Sequence, residues 1–191
     1  MTTRQTRAVE AADRLGYKRS PSRAGSGAAG NKGEARDQTM ATPTLSYVFE
    51  VAATLEPAQE LGQVHGGRRR VVPVTGGTVS GPRLGGRVLA GGADWQTILP
   101  TGVTLLRAHY TIEADDGAVI GVVNEGVRRA SPEVAERMAA GALVPPTEYY
   151  FRTTPRFEVG PGPHGWLMES VFVCTGERRP NDVLIRFFVV S

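Results

Sequence analysis

The sequence predicts an all-β domain, a closed antiparallel barrel or a sandwich, behind an N-terminal segment that does not fold. Three observations carry this. Most of residues 44–190 divides into short runs of alternating apolar and polar residues separated by turn chemistry, the signature of half-buried strands. Seven glycines fall between positions 76 and 92, interleaved with Val, Leu and Thr. At that density inside strand-like sequence they mark bulges, bends and close backbone approach, the devices that close a sheet on itself. Residues 20–39 are polar and rich in Gly, Ser and Ala, with almost no apolar surface to offset the entropy of ordering.

The tail and the domain differ in charge as well as in texture. Residues 1–40 hold eight Lys/Arg and four Asp/Glu, a net +4 against +3 for the 191-residue chain, which leaves residues 41–191 at about −1. Both lysines, Lys18 and Lys32, lie in the tail. The basic character therefore belongs to the tail, and the expectation for the folded part is no nucleic-acid partner. Residues 7–17 support at most two weak helical turns. Met40-Ala-Thr-Pro-Thr-Leu has the look of a natural start, which makes residues 1–39 an upstream extension or a tail without a function of its own. The expected division is a disordered tail over 1–40 and a single β-barrel domain over 41–191. No apolar run is long enough for a secretory signal or a membrane span. The single cysteine, Cys174, lies in a strand-like Val-Phe-Val-Cys run, excludes an intramolecular disulfide and reads as an inert small hydrophobe. A reduced, cytoplasmic setting is expected, without membrane attachment.

Along the domain, Leu45–Val51 alternates, with Leu45, Tyr47, Phe49 and Val51 expected on one face. Arg70–Val74 leads into the glycine run. In Thr104–Ile112 the residues Leu106, Ala108, Tyr110 and Ile112 face inward, and Arg107, His109 and Thr111 face out. Asp115-Asp116-Gly117 supplies a hairpin turn, because Asp-Gly tolerates the positive φ of tight hairpins, and the following residues to Asn124 return as the partner strand. The last strand pair is expected over 166–175 and 183–190. One helix is expected near 132–140: Ser131 is a good N-cap, Pro132 suits the first helical position, Glu133 complements the dipole, and Gly141 sits where a left-handed residue ends a helix.

Several of these motifs together resemble one family. They are Thr75-Gly76-Gly77 through Gly81, Gly91-Gly92-Ala93-Asp94-Trp95-Gln96, and Tyr110-Thr111-Ile112-Glu113 with Asp116-Gly117. They continue with Asn124-Glu125-Gly126-Val127-Arg128, Tyr149-Tyr150-Phe151-Arg152-Thr153 leading to Pro155-Arg156-Phe157-Glu158, and Trp166-Leu167. Over residues 43–190 the chain is similar to the bacterial domain-of-unknown-function family 3237. Met168 stands where that family often has Asn. The resemblance implies a small calycin-like (lipocalin-like) β-barrel, commonly a homodimer, with no established general activity.

The candidate chemistry is sparse. The glycine run lacks the Gly-Lys-Ser/Thr of a phosphate loop and the Gly-x-Gly-x-x-Gly of a dinucleotide site, so it reads as structural. Asp94, delivered by Gly91-Gly92 and flanked by Trp95, is either a general acid/base in a ligand pocket or a turn aspartate capping backbone N–H groups. Tyr110 faces the core or a cavity, and Asn124 lines a pocket or serves the turn before Gly126. Tyr150, Arg152 and Thr154 share one strand face. If it points inward, Arg152 is a buried cation suited to a carboxylate or enolate; if outward, a solvated charge. His65, His109 and His164 show no metal-ligand spacing, so no metal site is expected. No serine sits in a nucleophile elbow, and Arg68-Arg69-Arg70 reads as a solvated charge cluster.

These candidates combine into a barrel with a small-molecule ligand and cofactor-independent isomerase, cyclase or lyase chemistry on a carboxylate or enolisable metabolite. Asp94, Tyr110 and Arg152 take the catalytic roles, and Trp95, Asn124, Tyr150 and Trp166 bind substrate. A noncatalytic carrier barrel and a structural dimerisation module with a filled interior are the alternatives.

Overall fold

A computed structural model describes residues 42–191, and both the expected tail and its helical turns lie outside the described residues. The elements are β1 (Leu45–Leu55), β2 (Gln59–Val64), β3 (Gly67–Ser80), β4 (Gly86–Ile98), β5 (Thr104–Ala114), β6 (Val119–Ala130), helix α1 (Pro132–Ala139), β7 (Tyr149–Val159), β8 (Phe172–Arg178) and β9 (Asp182–Val190). All pairings are antiparallel, in the order β1-β9-β8-β7-β6-β5-β4-β3, and β3 returns to β1 to close an eight-stranded barrel. Strand β2 stays outside the ring. It pairs with the first half of β3, and the second half of β3 pairs with β1. Closure leaves the ring itself without a free edge.

The glycine run makes this closure possible. The β3–β4 register shifts between Val74 and Gly77, and the β4–β5 register shifts between Leu89 and Ala93. Gly91 takes φ +106°, a conformation that L side chains avoid. At Gly92 a Cβ would stand 2.6 Å from the His109 carbonyl oxygen and from Tyr110 Cβ, so only glycine lets β4 press against β5 there. Beyond this irregularity Asp94 and Gln96 emerge on the inner wall.

Helix α1 is capped as its sequence dictates: the Ser131 hydroxyl accepts from Val134 N–H at 3.3 Å, and Gly141 has φ +82°. The Asp115-Asp116-Gly117 turn also forms, with Gly117 at φ +86°. Two expectations are corrected. In β1 a register shift between Tyr47 and Phe49 breaks the alternation, so Val48 and Phe49 are both buried while Leu45 and Tyr47 stay exposed. The Val48 carbonyl turned aside there accepts from Arg83 N–H at 3.1 Å. Trp166 is not in a strand; it belongs to a 3-10 turn over Gly165–Leu167, and β8 starts only at Phe172.

The barrel is packed at one end and hollow at the other. Phe49 stacks on Phe187 with ring centroids 4.4 Å apart, and Phe157 meets Phe172 edge-on at 5.2 Å. With Ile112, Ile120 and Leu167 these rings fill the end near the β5–β6 turn. Arg83 covers that end, its guanidinium carbon 3.6 Å from the centroid of the Trp166 ring.

Candidate functional site

Opposite the packed end lies a cavity of about 470 Å³, within the usual range for small-ligand sites. It exists because inward positions on adjacent strands carry small side chains: Ala53 on β1, Ala108 on β5 and Thr153 on β7 all line it. The strand register sets out its polar groups in rows. Across three strands, Asp94, Ala108 and Asn124 stand side by side, and beyond Asp94 the row reaches Val72. One step toward the opening, Arg70, Gln96 and Leu106 form the next row.

These two rows are joined by hydrogen bonds. Arg70 Nε donates to Gln96 Oε1 at 2.8 Å, and Gln96 Nε2 donates to Asp94 Oδ2 at 2.6 Å. The other carboxyl oxygen, Oδ1, accepts from the Arg107 backbone N–H at 3.0 Å. Burial holds the Asp94 carboxyl above its ordinary value, opposed by these two hydrogen bonds and, more weakly, by Arg128 and Arg70. Burial also lowers Arg70, against the pull of Glu60. Arg128 is pushed down to about 10 by burial, then by its like-charged neighbours Arg178 and Arg70. It remains cationic at neutral pH.

Four buried oxygens of the lining have no hydrogen-bond partner: the Tyr110 hydroxyl, Asn124 Oδ1 and Thr153 Oγ1 in the depth of the cavity, and Asp182 Oδ1. Buried polar atoms are nearly always paired, so four orphans lining one cavity mark a place for a ligand or ordered water. Burial, with a smaller push from Cys174, raises the Tyr110 phenol, and Asn124 opposes it. Tyr110 is thus a hydroxyl at every working pH. Cys174 is buried and its thiol is pushed up to about 12, which leaves it a neutral packing group.

The structure brings together three of the seven sequence candidates. Asp94, Tyr110 and Asn124 line the cavity. Arg152 does not: in β7 the buried positions are Tyr149, Phe151, Thr153, Pro155 and Phe157, which puts Tyr150 and Arg152 on the outer face. There Arg152 lies over the Tyr150 ring at 5.2 Å. Trp95 also faces out, 38% exposed and edge-on to His109. Trp166 sits at the packed end against Phe172, away from the cavity. The cavity-lining cations are instead Arg70, Arg128, Arg178 and Arg179, and Gln96, Thr153, Glu56 and Asp182 are among the other polar groups of the lining. Parity was the missed signal: Arg128 is four residues beyond Asn124 on β6, and Arg70 shares its face with Val72 and Val74.

An antiparallel barrel with a polar-lined cavity at one end is the class that this fold and site define. The chain belongs to the family described as Protein of unknown function (DUF3237), whose model matches residues 43–190. It is similar to a UPF0311 protein of Clostridium acetobutylicum, 40% identical over 145 residues that cover 75% of this chain and 92% of that one. A UPF0311 protein of Rhodopseudomonas palustris is 41% identical over 146 residues, covering 75% and 95%. The crystal structure of the Rhodopseudomonas protein matches with a TM-score of 0.77 at 38% identity, over 80% of this chain and 100% of that one. A shorter match, 33% identical over 93 residues (49% of this chain, 60% of the other), is to a Penicillium herquei protein named hydroalkoxylation enzyme phnH. Among the described residues no helix is long and apolar enough to cross a membrane.

Proposed function

We propose that the barrel catalyses cofactor-independent proton transfer on a small enolisable or unsaturated organic molecule, in an isomerisation, elimination or ring closure. One observation carries this reading: an acid held above its ordinary pKa faces a cavity in which the neighbouring strands present unpaired oxygens. Asp94 and Asn124 flank Ala108 in one row, about 10 Å apart at two strand spacings, room for a substrate to lie across the Ala108 methyl. A protonated Asp94 delivers its proton to a substrate carbon or oxygen, and the resulting carboxylate recovers one from the product-forming position. Gln96 and the Arg107 N–H fix the direction of the carboxyl. Tyr110 and Asn124 supply hydrogen bonds to oxygen on which charge develops.

The name of the Penicillium relative supports the same class. Hydroalkoxylation adds an O–H bond across a carbon–carbon double bond, a net proton relocation with no change of oxidation state. The test is an NMR screen in deuterated buffer with enolisable acids and with alkenols whose hydroxyl can close a five- or six-membered ring. The expected result is catalysed exchange or cyclisation that Asp94→Asn reduces at least 100-fold while ligand binding persists. Binding without exchange or ring closure of any bound compound identifies a carrier and overturns the catalytic reading.

A further inference from the structure

We propose that the cavity mouth is a carboxylate clamp built from Arg128, Arg70 and Arg178, so that the ligand is an organic monoanion whose charge docks there. Its apolar body then lies along Val72, Leu106 and Phe151, and its far end reaches Tyr110 and Asn124. This deepens the catalytic reading and rests on the same cavity.

The charge balance of the mouth is the first argument. Arg70 comes from β3, Arg128 from β6 and Arg178 from the end of β8, and all three line the cavity. Burial lowers Arg128, with repulsion from Arg178 and Arg70 adding to it, and burial likewise lowers Arg70, so the three guanidiniums share one cavity at close enough range to repel. With Arg179 the lining carries four arginines against three acids, Glu56, Asp94 and Asp182. Asp94 is taken by Gln96 and the Arg107 N–H, Asp182 lies 4.0 Å from Arg179 with its Oδ1 free of hydrogen bonds, and Glu60 approaches Arg70 only at 3.9 Å.

The second argument is the state of Arg128 itself. It projects from the inner wall between Thr104 and Phe151 in register, its guanidinium 6.0 Å from the Phe151 ring centroid. Among the described residues it makes no hydrogen bond or ion pair. A guanidinium carries five donors, and a largely desolvated one without an acceptor is costly. A carboxylate offers two oxygens to match that fork and relieves the repulsion among the three cations. The third argument is the distribution of polarity: arginines in excess of acids at the opening, aliphatic and aromatic walls below, and unpaired neutral oxygens at depth. A molecule with the same sequence of groups fits in one direction only.

Isothermal titration with 4-hydroxycinnamate, its methyl ester and phenyl phosphate tests the clamp. The expected result is at least tenfold tighter binding of the acid than of the ester. Arg128→Met removes that preference while Arg128→Lys keeps part of it. If Arg128→Met fails to fold, Arg178→Met at the exposed rim carries the same test, with a threefold or greater loss expected. Equal affinity for acid and ester, a preference that survives the folded variants, or no binding of the acid overturns the proposal. Tighter binding of phenyl phosphate than of the acid also overturns the carboxylate assignment. Asp94→Asn separates the two readings, because it removes proton transfer and leaves the acid-over-ester preference intact.

Discussion

Gln96 holds Asp94 through a single polarised orientation of its side-chain amide. Arginine has only donors, so the oxygen of Gln96 must face Arg70, which turns its NH2 toward Asp94 Oδ2 at 2.6 Å. The result is a carboxyl whose direction is set by a partner that itself cannot flip. Gln96→Leu removes an acceptor from Arg70 and a donor from Asp94 at once. We expect a loss of about 2–4 kcal/mol in urea unfolding, since two buried polar groups lose a partner. Asp94 then rises further in pKa, because the hydrogen bond that most opposes its burial is gone. A 13C titration of the Asp94 carboxyl reads this shift, and an unchanged or lower value refutes the role given to Gln96.

Asp94→Asn is expected to remove a pH-dependent loss of stability from the empty protein. Unfolded, this carboxyl ionises near 3.8, whereas the folded protein keeps its proton to higher pH. The folded state therefore holds more protons in that window. Stability falls as pH rises from 3.8 through the folded pKa, then stays at the lower level. Asparagine carries no such penalty but can accept only one of the two hydrogen bonds, because its NH2 replaces one carboxylate oxygen. Melting curves should show the variant gaining on the parent between pH 3 and pH 7, by on the order of 1 kcal/mol, on top of a pH-independent loss from the missing bond. A difference between variant and parent that does not change with pH contradicts the burial account.

The residues explain how much of this was readable in advance. The β5 alternation placed Tyr110 and Ala108 inside because nothing interrupts that strand. In β1 the same reasoning failed at Leu45 and Tyr47, since the bulge at Val48 flips the face and no local residue type announces it. Strand β7 carries aromatic side chains on both faces, so only the pairing of Pro155 and Phe157 with inward β6 residues puts Arg152 outside. Arg70 was masked by its charged neighbours Arg68 and Arg69; the face it shares with Val72 becomes informative only once β3 is known to pass through the barrel wall. Periodicity reveals faces within a strand, and closure decides which face is the interior.

The packed end should report on stability without touching the cavity. Trp166 lies between Phe172 at 5.6 Å and the Arg83 guanidinium at 3.6 Å. Trp166→Ala is expected to cost about 2–3 kcal/mol, below the full value for a buried indole because the ring is only partly buried. Arg83→Met should cost about 1 kcal/mol, the scale of an exposed cation–π contact. Both variants should bind cavity ligands as the parent does. A tenfold change in affinity in either would show that the two ends are coupled.

Tyr110→Phe inverts the usual effect of deleting a buried hydroxyl. The Tyr110 oxygen is buried without a well-formed hydrogen bond, Asn124 opposing its burial only in part, so its removal takes away a desolvated group at little cost in internal hydrogen bonding. The ring remains, with Ala108 and Val122 as neighbours along and across the strands. Stability in urea should be unchanged or higher by up to about 1 kcal/mol, in contrast to the loss expected for Gln96→Leu nearby. Ligands that carry a hydroxyl or carbonyl at their deep end should bind roughly 5- to 30-fold more weakly, the scale of one hydrogen bond at a desolvated site. Ligands that are apolar at that end should bind equally well or better. Equal weakening of both kinds would mean that Tyr110 shapes the cavity floor and does not bond the ligand, and the orphaned oxygen would then mark a water site.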